Sequence, residues 1–152
     1  MALNNNNNGY GGNRGGQGGG YGARPQPVYS APVAEQIPED YAAAADKVIT
    51  AVGIKISTSK LRNFFGLFSD MYNDVKRASY AELTSEQVTE ITGARIRMIY
   101  ECGRNKNVND FVDKAKLINY LLGIGKSTAK FIRFYHYFEA LVAYHRYHHG
   151  YK

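Results

Sequence analysis

Three places in the sequence carry residue types whose spacing could do chemistry. Gly125-Lys126-Ser127 matches the end of a phosphate-binding loop, in which backbone N–H groups cradle phosphates and the lysine neutralises them. That loop needs a glycine five residues before Gly125, where Tyr120 stands, and it follows a buried strand, whereas a helical pattern precedes it here. The simpler role is a helix stop, a cap and the first base of a cationic row. His145 and His149, at i, i+4 with His148 beside them, could pinch a metal ion. Zinc would want at least a third protein ligand, and no acid stands within a turn of either histidine. Two exposed histidines and one at the core edge, near a helix C-terminus where positive charge is favourable, account for them. Cys102 is the one cysteine; it has no partner for a disulfide or metal, no assignable catalytic histidine, and reads as a small core residue. The acids are dispersed, with no pair declaring itself as acid and base. No catalytic residue, metal site or cofactor is expected.

What the spacing does organise is cations. Phe131, Phe134, Tyr135, Phe138, Leu141, Val142 and His145 form one stripe of a C-terminal helix that must be buried. At about 100° per residue, Lys126, Lys130, Arg133, Tyr137 and Tyr144 fall on a second face with no carboxylate among them. A basic lane interleaved with tyrosines suits a phosphate backbone and a stacked base, while a solvated outer face is the plainer account of any single helix. A second lane, Arg62, Gly66, Ser69, Asn73 and Lys76, runs beside the stripe of an earlier helix, with Asp70 and Asp74 pointing elsewhere. Gly66 in mid-helix costs about 1 kcal/mol relative to alanine, so it asks for close approach of a backbone, of a packed helix or of nucleic acid.

The elements that position these lanes read as helices throughout. Glu39–Val52 is a first helix, with Pro38 near its start and Gly53 after it; Ile54–Ser57 is a connector. Thr58 or Ser59 can cap a second helix to about Arg77. Thr84 and Gln87 form a capping box, with Leu83 and Val88 at the staple positions, for a third ending at Gly103. Continuous phase would bury Arg95 with Ile99 and Cys102, so the helix restarts at Gly93 or Arg95 has an anionic partner; Arg97, Glu101 and Arg104 align on the opposite side. A fourth runs from about Asn109 to Leu122, with Phe111, Ala115, Ile118, Leu121 and Leu122 inward, and Ser127 caps the fifth.

All four prolines and nine of the sixteen glycines of this 152-residue chain lie in residues 1–38, which read as a disordered Asn/Gly/Pro-rich tail with a Pro-rich extended lead-in. Arg14, Arg24, Tyr10 and Tyr21 give it a faint likeness to RGG-type tails, although a plain flexible tail explains it as well. Residues 39–152 suffice for one modest core and carry +5 of the net +6, which permits an anionic partner. With no secretory signal and no window long and apolar enough for a membrane span, a cytoplasmic location is the default. The fold class expected is all-α, a single bundle of about five helices.

At this point particular strings become informative. Lys60-Leu61-Arg62-Asn63-Phe64-Phe65, Tyr72-Asn73, Arg97–Arg104 with its Tyr-x-x-Gly-Arg ending, and Phe131–His145 with Phe-Glu-Ala-Leu-Val-Ala-Tyr-His resemble the small subunit of type III-A CRISPR effector complexes, the Csm complexes. The resemblance covers about residues 39–152. It implies a helical bundle without a nuclease site, present in several copies that stack as an inner filament beside the large subunit and the guide-binding backbone subunits. It also implies contact with target RNA and CRISPR RNA, where base pairing reads sequence and protein holds backbone. Matched motif by motif, it assigns RNA binding to Lys60, Arg62, Arg95, Arg97, Arg104 and Arg133; Lys126 and Lys130 come from the helical face alone. The competing expectation is a structural adaptor that docks exposed aromatics such as Tyr137 and Tyr144 on protein neighbours without touching RNA.

Overall fold

Short polar side chains fix where most of the helices begin. Asp40, Ser57, Thr84, Asn105 and Ser127 each accept a hydrogen bond from a backbone N–H of the turn that follows, supplying a partner the helix itself lacks. At Thr84 the bond is reciprocated, because the Gln87 side chain accepts from the Thr84 N–H, and the expected capping box is present. The computed structural model describes Gly22 and residues 30–150, so the readings of Tyr10, Arg14, Tyr21 and Arg24 lie outside the described residues. Its elements are α1 Tyr41–Thr50, α2 Thr58–Ala78, α3 Ser85–Arg104, α4 Lys106–Lys114, α5 Leu117–Ile124 and α6 Thr128–His149. The fold is all-α, as expected, and no helix among the described residues is long and apolar enough to cross a membrane.

Four of the expected helices differ from expectation. The first helix starts two residues later, with Asp40 outside it as the cap, and the second is capped by Ser57 instead of Thr58 or Ser59. The third neither restarts at Gly93 nor buries Arg95: its inward row is Ile91, Ala94 and Met98, leaving Arg95 half-buried and Ile99 exposed. The largest change is that the expected fourth helix is two helices. Asn105, which accepts from both Asn107 N and Val108 N, caps α4, whose first residue Lys106 stands three before Asn109, and the chain breaks at Lys116 with φ 55°. A left-handed lysine costs roughly 1–2 kcal/mol. Tertiary contacts on either side of the break offset it, since Tyr137 Oη donates to the Ala115 carbonyl at 2.9 Å and Lys116 Nζ bonds Glu35 Oε2 at 2.8 Å.

α6 is the axis of the bundle, with α1, α2 and α5 packed around it. Its expected stripe is inside, Val142 only partly. Phe68 of α2 meets Phe134 edge-on at 5.2 Å, and Tyr72 stacks on Tyr135 at 3.9 Å with the rings 6° from parallel. Burying a ring as fully as Phe68 or Phe134 contributes about 1.5–3 kcal/mol before conformational entropy is counted. Because partners lie on several sides, the buried arc of α6 is wider than one stripe, and Tyr137, expected on the exposed lane, is 1% exposed.

Residues 33–38, expected within the tail, form a strap bound across α5. The Glu35 N–H donates to the Asn119 carbonyl at 3.0 Å, Asn119 Nδ2 donates to the Val33 carbonyl at 3.0 Å, and Gln36 Nε2 reaches the Gly123 carbonyl at 3.3 Å. Gly123 is where the strap needs a glycine, for a Cβ there would overlap the Glu35 carbonyl. Gly123→Ala is therefore expected to lift the strap and cost about 1–3 kcal/mol. Faster proteolysis N-terminal to Tyr41, with helicity of the remainder retained, is the measurable sign.

Candidate nucleic-acid interface

All the cations expected to hold RNA except Arg95, half-buried on α3, fall in three settings. The first is a groove of about 660 Å³ between α2 and α3, whose walls include Lys60, Asn63, Phe64, Leu67, Ile96, Arg97, Tyr100 and Glu101. Lys60 Nζ lies 2.8 Å from Glu101 Oε2, and Arg104 Nη1 is 3.5 Å from the other carboxylate oxygen. The Lys60 hydrogen bond is the main reason the Glu101 carboxyl sits below its ordinary value, with the charges of Arg104 and Arg97 adding to it. A depressed carboxyl contributes above its unfolded value and loses that contribution as pH falls through the folded one, so the cluster is intact at neutral pH. Arg104 also lies 5.4 Å from the Tyr100 ring centre.

The second setting is the outer face of α2. Arg62, Gly66, Asn73 and Lys76 are exposed there, and Ser69 turns its hydroxyl to the Phe65 carbonyl. Lys76 is 5.8 Å from the Tyr72 ring centre. A Cβ on Gly66 would meet nothing within 4 Å, so packing inside this chain does not account for that glycine.

The third is the head of α6. Lys126 and Lys130 are exposed, while Arg133 is half-buried, donating from Nη2 to the Pro38 carbonyl at 2.6 Å with its guanidinium 5.7 Å from the Tyr41 ring. The Lys126 carbonyl accepts from Leu83 N at 2.9 Å, which ties this head to the start of α3. Lys60 and Lys76 mark opposite ends of α2, roughly 25 Å apart by helical rise. Lys60, Arg97 and Arg104 are thus gathered together, Lys130 and Arg133 share a small cleft beside the strap, and Arg62 and Arg95 do not line the α2–α3 groove.

Periodicity aligns Glu101 with Arg97 and Arg104 but does not reveal that it also holds Lys60 of α2, or that Tyr100, 63% exposed, is the aromatic wall of the cluster. The row Arg97, Tyr100, Arg104 at i, i+3, i+7 is the local signal for that tyrosine. The histidines hold the fold together: His145 Nε2 donates to the Ile56 carbonyl at 2.9 Å, and His148 Nε2 is 2.8 Å from Asp46 of α1. No group of three or more His, Cys, Asp or Glu able to hold a metal is present among the described residues. Burial and the charge of Asp113 push the Cys102 thiol up, away from the reactive thiolate.

Fold and surface together define the class, a small all-helical domain with basic rows on its outer faces and a cationic groove between two of its helices. Residues 35–151 match the family described as Csm2 Type III-A, and the chain belongs to that family. Its relatives include "CRISPR system Cms protein Csm2" of Mycobacterium tuberculosis, 33% identical over 95 residues, or 62% of this chain and 77% of that protein. The protein of the same description from Streptococcus thermophilus is 29% identical over 118 residues, covering 74% of this chain and 93% of its own. That of Enterococcus italicus is 36% identical over 93 residues, 59% and 65% respectively.

Proposed function

We propose that this chain is a non-catalytic small subunit of a cytoplasmic type III-A CRISPR complex that holds RNA by its backbone. Copies of it stack on one another beside the large and guide-binding subunits. The observation that carries the RNA reading is the outer face of α2, where Arg62 and Lys76 flank Gly66 and Asn73 in a row without a carboxylate. Phosphates are attracted there whatever the base sequence, which fits a complex whose sequence reading is done by pairing between RNA strands. Arg97, Arg104, Lys126 and Lys130 extend the cationic surface, and Lys60, Arg95 and Arg133 contribute charge from partly covered positions.

Photocrosslinking of target RNA in the assembled complex tests the reading. Adducts on peptides of α2 and the C-terminal half of α3 are expected, at similar yield for unrelated guide–target pairs. An assembled complex that gives no adduct on this subunit favours the adaptor reading, in which exposed Ile99 and half-buried Tyr144 contact protein neighbours. Tyr137 has no part in that alternative, because it is buried.

A further inference from the structure

The α2–α3 groove differs from the outer lane in chemistry. Its wall is apolar and aromatic, with Phe64 buried, Leu67 half-buried, and Ile96 and Tyr100 exposed by 59% and 63%. Cations stand at one end only. The row of α2 that begins with Lys60, Asn63 and Leu67 continues at helical spacing to Asp70 and Asp74, both exposed. The row of α3 that holds Arg97 and Glu101 runs back to Glu90 and Glu86, also exposed. A run of phosphates laid along this groove would leave the cationic end and meet four carboxylates, so the groove does not suit a backbone track. It suits one short anionic contact attached to one flat apolar group.

We infer that the Lys60 end of this groove is a nucleobase site, where a single unpaired base of an RNA strand stacks on Tyr100 against Ile96. Arg97 and Arg104, one turn to either side of Tyr100 on α3, take the flanking phosphates, and the Asn63 amide offers a donor and an acceptor to the base edge. Glu101 holds Lys60 and Arg104 in place at the rim. The inference rests on the RNA-binding reading above and adds to it a preference for unpaired over paired nucleotides. Charge decides against a second copy centred on this end of the groove: a two-fold axis there would set Lys60, Arg97 and Arg104 against their own counterparts. A polyanion has the complementary sign.

The test uses the full chain, a 12-nucleotide single-stranded RNA and a blunt duplex of the same strand, at low salt, with Tyr100→Leu, Tyr100→Phe and Arg62→Glu. Tyr100→Leu is expected to weaken single-strand binding roughly tenfold, with the salt slope and duplex binding unchanged, because one base stack is lost and no phosphate contact. Tyr100→Phe, which keeps the ring, should bind within about twofold of the unsubstituted chain. If Tyr100→Leu leaves single-strand binding unchanged while Arg62→Glu lowers it, the base site is wrong and the backbone reading stands. If neither substitution changes binding, both readings fall. If Tyr100→Leu alters only self-association in sedimentation, the groove receives protein and the base site is overturned. Circular dichroism of each variant guards against misfolding, and Tyr100 is exposed enough that none is expected.

Discussion

Tyr137→Ala is expected to lower the stability of the domain by about 3–5 kcal/mol, a fall in melting temperature on the order of 15 °C. The ring is 1% exposed and meets Tyr120 edge-on at 5.3 Å, so truncation opens a cavity beside α5. The hydroxyl matters separately, since it donates to the Ala115 carbonyl at the chain break between α4 and α5. Tyr137→Phe keeps the volume and leaves that carbonyl without its partner, at a cost of about 1–3 kcal/mol. Burial pushes the phenol well above its ordinary value of 10.0, so it remains a donor at every ordinary pH. The sign follows from that raised value: the contribution is whole below the unfolded pKa and is lost as pH rises through the folded one. Urea unfolding of both variants, with the alkaline limb of the unsubstituted chain, measures all three effects. A loss under 0.5 kcal/mol for Tyr137→Ala, the size of a surface change, would contradict the packing of α6.

Tyr137 also shows where sequence periodicity loses its grip. A single stripe is the signature of a helix with one buried side, and α2 and the row of α6 from Phe131 to His145 obey it. α6 has neighbours on several sides, so residues a third of a turn from the stripe are buried as well, and nothing local in the sequence announces a helix at the centre of a bundle. The break at Lys116 was illegible for a related reason. No glycine or proline marks it, and the left-handed turn is offset by Tyr137 and Glu35, residues distant in sequence. The caps at Thr84 and Ser127, by contrast, depend on side chains within one turn and were legible. The cations divide the same way. Arg62 keeps the exposure its helical position implies, whereas Arg133 is engaged by Pro38 and Tyr41, partners outside its own helix.

Reversing charge at Arg62 and Arg97 together is expected to weaken RNA binding on the order of a hundredfold at about 50 mM salt, with the loss shrinking as salt rises. Two phosphate contacts fewer should reduce the slope of log affinity against log salt by roughly 1.4 for single-stranded RNA, equally for unrelated sequences. Both residues are exposed, so helicity should be unchanged. Glu101→Gln is the counterpart with the opposite sign. It removes the carboxylate that holds Lys60 and Arg104, and the released cations should raise affinity roughly threefold to tenfold. As pH falls through the lowered value of Glu101, the unsubstituted chain should close its gap to the glutamine variant. A general loss of structure lowers binding in every variant. Opposite shifts from Arg97→Glu made alone and from Glu101→Gln, one turn apart on the same helix, are the sign that RNA lies close enough to this groove to feel its charge.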